Sequence, residues 1–424
     1  MKICMFTNTY LPHVGGVARS VAFFAKDLRA MNHQVLVIAP SFSETPERET
    51  DVLRVPAIQN FNASDFSVRI PIPFLIDQEI DGFEPDLIHS HHPFLLGDAA
   101  LRAARRRKLP LIFTYHTQYE KYTHYVPLDS ESLKRFVINL ATAYANLCSK
   151  VIAPSESIAR VIRRREVKTP VTVIPTGVDA DFFAKGRGDS FRANQSIPRD
   201  AFLVGTCSRL APEKNLVYLS RAVAAYLKTE PEARFLVVGE GPSSGDIRRI
   251  LKERGVANQL VMVGNQSGSD LSDAYKAMDL FVFASKTETQ GMVLLEAMAA
   301  GKAVIALDAS GSREVVVDDG NGCLLASDAS EEAFSRKIAE FRKNEKRAGR
   351  WQKEARRTAQ RLSRGNCARE LENLYQSVLE SNRFHSGGVG DELISWNKLL
   401  KGIQTEWELM TQKTAAAVKS FQND

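Results

Sequence analysis

The segment SKTETQGMVLLEAMAAGKAVIA (285–306) sets two glutamates around a glycine: Glu288, Gly291 and Glu296. A polar loop bearing Glu288 runs into a helix that starts near Gly291 and bears Glu296. The amides of a helix start, helped by the positive end of the dipole, hold phosphate oxygens or sugar hydroxyls. Gly291 lets the backbone come close to such a ligand. A carboxylate at Glu296, about one and a half turns into the helix, can accept both hydroxyls of a ribose diol. Glu288 reaches a second group of hydroxyls. An isolated Glu–x7–Glu spacing also describes the solvated start of an ordinary helix. A second constellation, SRLAPEKN (208–215), follows the apolar run FLVGTC. Arg209 offers phosphate a planar fork and Lys214 a point charge. Together they suit a diphosphate whose charge grows as it leaves. As a bare surface pair the two would look no different.

Both segments sit where short apolar runs give way to loops. KICMFT, the loop YLPHVGG, a helix with Val17, Val21, Phe24, Ala25 and Leu28 on one face, and QVLVIAP form a β–loop–α–β unit. The alternation continues through DLIHSHH, LRAARRRK, LIFTYH, SLKRFVINLATAYANL, SKVIAPS and VTVIPTG. It breaks near Asp181 into FFAKGRGDSFRANQSIPRD, a polar stretch suited to a linker. It restarts with FLVGTCSR, RFLVVG, LVMVG, LFVFAS and AVIALD. Short apolar strands alternating with helices predict parallel sheets covered on both faces. The chain therefore reads as two doubly wound α/β domains in tandem, with a cleft between the carboxyl ends of their strands. Residues 331–380 are helical and rich in Lys, Arg and Glu. HSGGVGDE is a flexible break, and 393–410 form one last amphipathic stretch.

With 424 residues, 44% apolar and 25% charged, the chain has the composition of an ordinary globular protein. No run approaches the roughly 20 apolar residues of a membrane span. The start MKICMFTN reads as a first strand and not as a signal peptide. Five scattered cysteines without CxxC spacing argue for reduced thiols. The net charge of +6 is uneven: residues 98–168 hold 14 Lys/Arg against six Asp/Glu, so the remainder carries −2. Such a local field points to an anionic partner.

Taken with YLPHVGG, IPTGVDADFF and the EAMA helix, the two site segments closely resemble the retaining glycosyltransferases of family 4, over residues 1–380. The resemblance implies the GT-B fold, two doubly wound Rossmann-like domains facing each other across a cleft. The expected division is 1–183 for the acceptor, 184–365 for the nucleotide sugar, 366–384 for a helix crossing back, and 385–424 for an amphipathic tail. Carried over residue by residue, it places Gly16, Arg209 and Lys214 at the donor diphosphate and Glu296 at the ribose. Glu288 and the backbone of Gln290, Gly291 and Met292, with Val293 beside them, hold the hexose or its phosphate. His116 lies near the anomeric carbon, and Gly264 and Asn265 face the base. His116, Glu288, Arg209 and Lys214 are the expected catalytic set, with no cofactor and no metal.

TYHTQYEKYTHYVP (114–127) with TETQG (287–291) narrows the likeness to bacterial diacylglycerol glucosyltransferases. This implies transfer of glucose from UDP-glucose to diacylglycerol on the inner face of the cell membrane. Other lipids (phosphatidylinositol, glycosyl-diacylglycerol) and soluble acceptors remain alternatives. Tyr119, Tyr122 and His124 are candidate acceptor contacts. Arg105, Arg106 and Arg107, with Arg163, Arg164 and Arg165, lie among Leu, Val and Ile and suit docking on an anionic leaflet. Arg-rich helix faces also commonly end as solvated surface.

Three signals compete. HSHHP (89–93) imitates a metal cluster, but no zincin-like carboxylate–His spacing follows. The DAD at 179–181 imitates the acidic motif of metal-dependent transferases, yet belongs to the GVDADFF segment of the resemblance. VGEGPSSG (238–245) is one residue too long for a dinucleotide fingerprint, which leaves a nicotinamide enzyme a distant alternative. The basic balance, pI ≈ 9.0, allows a nucleic-acid-binding protein, but no recognised binding motif is present.

Overall fold

The computed structural model describes residues 1–382 apart from 14, 43–44, 46–48, 59–67, 70–72 and 122–129. Tyr122, His124 and the 385–424 tail lie outside the described residues. The first half runs β1 (Lys2–Phe6), α1 (Gly16–Ala30), β2 (Gln34–Pro40), β3 (Val52–Val55), β4 (Ala57–Ile58), β5 (Val68–Arg69) and α2 (Pro73–Phe83). It continues through β6 (Leu87–Ser90), α3 (Leu96–Arg107), β7 (Leu111–Thr114), α4 (Glu131–Asn146), β8 (Lys150–Ala153), α5 (Glu156–Arg164) and β9 (Val171–Val173). The second half runs α6 (Ala180–Ala184), α7 (Gly188–Asn194), β10 (Leu203–Cys207), α8 (Leu216–Leu227), β11 (Arg234–Val238), α9 (Ser244–Glu253), β12 (Leu260–Met262) and α10 (Gly268–Ala277). Then come β13 (Leu280–Phe283), α11 (Met292–Ala299), β14 (Ala303–Leu307), α12 (Ser312–Val315), β15 (Gly322–Leu325), α13 (Glu331–Lys343), α14 (Glu345–Arg361) and α15 (Arg364–Asn382).

Two parallel sheets result, ordered β3-β2-β1-β6-β7-β8-β9 and β12-β11-β10-β13-β14-β15. Their central strands are covered by helices, so LFVF of β13 and AVIAL of β14 are buried throughout. Strand order reverses beside β1 and beside β10, and at such switch points the loops splay apart to leave a crevice. Helix starts are fixed locally: the hydroxyls of Ser130 and Ser155 cap α4 and α5.

The stretch expected as a polar linker is folded. It forms α6 and α7, with Phe183 and Phe191 buried in the second core. The Arg192 guanidinium there donates to the carbonyls of Ala277 and Ala201 and pairs with Asp279 at 2.8 Å. These two phenylalanines, 183 and 191, supply enough apolar area, at about 1.5–3 kcal/mol per fully buried side chain, to hold short helices against α10. At the far end α15 returns to the first sheet. Its Leu371, Leu374, Tyr375 and Val378 join the core around Val21, Phe24 and Ile112. The Arg364–Asp27 ion pair (2.5 Å) and the His33–Glu372 hydrogen bond (2.8 Å) fasten it there.

Candidate functional site

The loops leaving β10, β13 and β14 meet at the carboxyl edge of the second sheet. Gly291, the residue before α11, has φ +79, and a Cβ there would lie 2.9 Å from the Gly311 carbonyl oxygen. Only glycine keeps this backbone conformation and this approach without strain. The amides that open α11 are thereby turned out at a bare helix end, as an anion requires. Lys214 comes from the short turn after β10 and forms an ion pair with Glu288. Arg209 pairs with Glu213 in its own turn. Both cations are therefore preset next to carboxylates, where an anionic ligand can compete for them.

Glu296 is nearly fully buried. Its Oε1 accepts from Arg19 Nη2 at 2.6 Å and its Oε2 from the Tyr275 hydroxyl at 2.8 Å. Burial pushes the Tyr275 phenol well above its ordinary range, so it stays a donor. Arg19 belongs to α1 of the first domain, so this contact crosses the cleft. It borders a cavity of about 240 Å³ lined by Thr176, Leu271, Met292, Leu295 and Arg364 among others. Gly16 opens α1 one turn before Arg19 and has no atom within 4 Å of its would-be Cβ. Asn265 is exposed and donates to Glu240 at 3.2 Å, next to Gly264. The glycines of VGEGPSSG have another use than dinucleotide binding. A Cβ on Gly239 would sit 1.9 Å from the Ser208 carbonyl oxygen, so this loop packs directly on the Arg209 loop.

Gln290 is buried, and its side chain is engaged with Thr176. Its carboxamide accepts from the Thr176 amide at 2.8 Å and donates to the Thr176 carbonyl. Only the backbone of Gln290 is left for a ligand. The Thr176 hydroxyl in turn meets Ser20 of α1 at 2.6 Å. Two further ties join the halves: Ser155 Oγ donates to the Thr289 carbonyl at 2.6 Å, and the Glu314 carboxylate accepts from the amides of Glu156 and Ser157 at 3.0 Å each.

Across the cleft, His116 follows β7 and stands with three other imidazoles. His91 Nδ1 lies 2.9 Å from His116 Nε2, and the His89 and His91 rings are 4.1 Å apart. His89 is held by the Tyr375 hydroxyl at 2.6 Å and by Thr114 at 2.7 Å. The Asn8 amide donates to His92. Burial pushes His89, His92 and His116 down to about 3 and His91 well down, so the cluster is neutral. Among the described residues, no group of three His, Cys, Asp or Glu side chains is placed to hold a metal ion.

The arginine clusters are less open than their sequence implies. Arg107 pairs with Asp81 at 2.7 Å and with Asp77, and Arg165 pairs with Glu120 at 2.6 Å; the two are only 14% and 16% exposed. Arg105 donates to the Leu147 carbonyl. Arg106, paired with Asp77, and Arg163, paired with Glu156, remain 62% and 47% exposed, and Arg164 is exposed. Arg107 and Arg165 are thus corrected from surface contacts to internal braces, because α2 and the turn at Glu120 supply acids that the linear pattern does not reveal. Tyr119, a candidate acceptor contact, is buried against Phe94, with ring centroids 5.1 Å apart. Among the described residues, no helix is long and apolar enough to cross a membrane.

Sequence reasoning singled out neither Arg19, Thr176 and Tyr275 nor, apart from His91 and Tyr119, one further group. Among the described residues, Thr9 Oγ1, His91 Nε2, Gln118 Oε1 and the Tyr119 hydroxyl are buried without a hydrogen-bond partner. So are Thr206 Oγ1, Ser208 Oγ, Ser310 Oγ and Ser312 Oγ. All eight lie at or just beyond carboxyl strand ends, four on each side of the cleft. Buried polar atoms of this kind require a partner, which water or a bound molecule can supply.

Comparison with known proteins agrees with this geometry. Residues 14–182 match Glycosyltransferase Family 4, and residues 189–358 match Glycosyl transferases group 1. An α-monoglucosyldiacylglycerol synthase of Acholeplasma laidlawii is 27% identical over 90% of this chain and 98% of its own. One from Streptococcus pneumoniae is 31% identical over 72% of this chain and 71% of its own. A GDP-mannose-dependent α-mannosyltransferase of Mycobacterium tuberculosis is 28% identical over 77% of this chain and 84% of its own. Among solved structures, Anabaena HepE in complex with UDP superposes with a TM-score of 0.73 at 21% identity, covering 89% of this chain and 100% of that one.

Proposed function

The chain belongs to the family 4 glycosyltransferases and is thus a nucleotide-sugar hexosyltransferase of GT-B fold; from that premise we propose that it moves glucose from UDP-glucose to the free hydroxyl of diacylglycerol. The observation that carries the reading is the Lys214–Glu288 pair beside the Gly291 helix end, on the helix that bears Glu296. Support for the acceptor comes from the two relatives named as glucosyldiacylglycerol synthases, one of them matched over 90% of this chain.

In this reading the ribose diol donates to Glu296. Lys214 leaves Glu288 for the diphosphate, where Arg209 and the amides of Gly291, Met292 and Val293 join it. Glu288 then accepts from hexose hydroxyls, and Gly16, Gly264 and Asn265 flank the diphosphate and the base. His116, neutral, orients the sugar near its anomeric carbon. The C1–O bond to the diphosphate breaks while the acceptor oxygen bonds C1 from the same face, so the α configuration is kept. The acceptor proton passes to the departing phosphate oxygen, and UDP leaves. Positive side chains and the helix end do the work of a divalent cation. Arg106, Arg163 and Arg164 hold the first domain on an anionic leaflet, where the lipid acceptor resides.

Product analysis tests this with labelled UDP-glucose, UDP-galactose and GDP-mannose against diacylglycerol, glucosyl-diacylglycerol and a soluble sugar phosphate. Labelled α-glucosyl-diacylglycerol from UDP-glucose is expected. Transfer from GDP-mannose alone would overturn the donor assignment, a reading that the mannosyltransferase relatives favour. Transfer only to the sugar phosphate would overturn the lipid.

A further inference from the structure

We propose that Arg19 is a donor-binding residue that exchanges partners, releasing Glu296 to the ribose and taking the diphosphate. The proposal rests on the ribose role of Glu296 given above and adds a residue from the opposite domain. In the present conformation Arg19 Nη2 lies 2.6 Å from Glu296 Oε1, and Tyr275 takes Oε2. Both carboxylate oxygens therefore carry a donor before any nucleotide arrives. A ribose diol that binds this carboxylate with two hydroxyls must share or displace one of them. Tyr275 is sealed in the second domain with its ring packed on Phe183 and Phe281. Arg19 is the member able to move: its side chain is 30% exposed against 3% for Glu296, and it borders the cavity.

Where the guanidinium goes follows from the helix that carries it. Arg19 lies one turn after Gly16 on the same face of α1, and Gly16 is exposed at the amino end of that helix. The positive end of the dipole and the uncovered amides of the first turn draw an anion to that spot. A diphosphate esterified to the ribose on Glu296 lies within one flexible side chain's reach of the ribose-binding carboxylate. A planar fork is suited to two phosphate oxygens as well as to a carboxylate. The Glu296 carboxylate also raises the Arg19 pKa above its ordinary value, so the group stays cationic through the exchange.

The mechanism makes opposite demands on two ligands. Uridine carries the ribose without the phosphates, so it must compete with Arg19 for Glu296 and gains nothing in return. UDP meets the same competition and recovers it through the diphosphate. Titration calorimetry with UDP and with uridine on the full chain, wild type, Arg19→Ala and Arg19→Lys, separates these terms. Arg19→Ala is expected to weaken UDP by about tenfold or more while uridine binds as tightly as before or tighter. Arg19→Lys, which keeps the charge and loses the fork, should fall between. Because the readout is the ratio of two affinities, a partly unfolded sample does not mimic it. Equal weakening of both ligands, or unchanged UDP affinity in Arg19→Ala, would overturn the exchange. A wild-type chain that binds neither ligand would overturn the donor reading itself, a separate result.

Discussion

A single carboxamide, that of Gln290, satisfies both backbone groups of Thr176, accepting from its amide at 2.8 Å and donating to its carbonyl. The loop that bears Glu288 is thereby fixed to the segment between β9 and α6 that leads from one domain to the other. Thr176 also holds Ser20 of α1 through its hydroxyl.

Gln290→Glu should therefore loosen the junction between the halves. A carboxylate still accepts from the Thr176 amide but meets the Thr176 carbonyl with no proton to donate. One buried hydrogen bond is lost and a repulsion added, about 1–3 kcal/mol. Calorimetric melts should fall by several degrees. Turnover should drop with them, while Gln290→Glu with an unchanged melt would show that the bonds carry no load.

Lys214 and Glu288 form an ion pair, which in the proposed reading opens when the donor binds. Lys214→Ala should weaken UDP about 10- to 100-fold, the worth of a charge-assisted hydrogen bond. Glu288→Ala should leave UDP nearly as tight and lower kcat at least tenfold. The double variant is expected to be non-additive, since each single change strands the partner's charge. Steady-state rates and calorimetry on the three variants check this.

The imidazole cluster makes the fold sensitive to mild acid. His89, His92 and His116 are held down to about 3 by burial, against an ordinary value near 6.5. The unfolded chain binds protons there that the folded chain refuses. Stability present above about pH 6.5 is then lost progressively as pH falls toward 3. Melts at pH 7, 6 and 5 should descend, and a constant melting temperature across that window would contradict neutral buried rings.

The two arginines that close α5 should part company. Arg164→Ala, exposed, should reduce sedimentation with phosphatidylglycerol vesicles and leave the melt unchanged. Arg165→Ala removes the partner of Glu120 and a donor to the Tyr115 hydroxyl, so it should lower the melt. Equal sedimentation of wild type and Arg164→Ala would contradict the leaflet contact.

The alternation of short apolar runs and helical faces made both sheets readable, because a strand buried on both sides must be apolar along its length. The Arg209–Lys214 and Glu288–Glu296 segments were readable because each lies within one strand–loop–helix unit. Arg19 was not, since its partner Glu296 is 277 positions away and nothing in GGVARSV marks a cross-domain contact. The arginine runs misled for the same reason: Asp77, Asp81 and Glu120 are supplied by neighbours in space. Likewise FFAKGRGDSF read as polar linker because its two buried phenylalanine contacts depend on α10, which comes ninety positions later.

The return of α15 to the first sheet has a practical corollary for anyone shuffling halves between such transferases. Tyr375, from the last described helix, anchors His89 of the imidazole cluster, and Arg364 braces Asp27 of α1. A chimaera that swaps the amino-terminal half at residue 180 would pair a foreign α1 and β6 with the native closing helix. Functional hybrids should require residues 364–382 to travel with the amino-terminal half, as a transplant in two pieces.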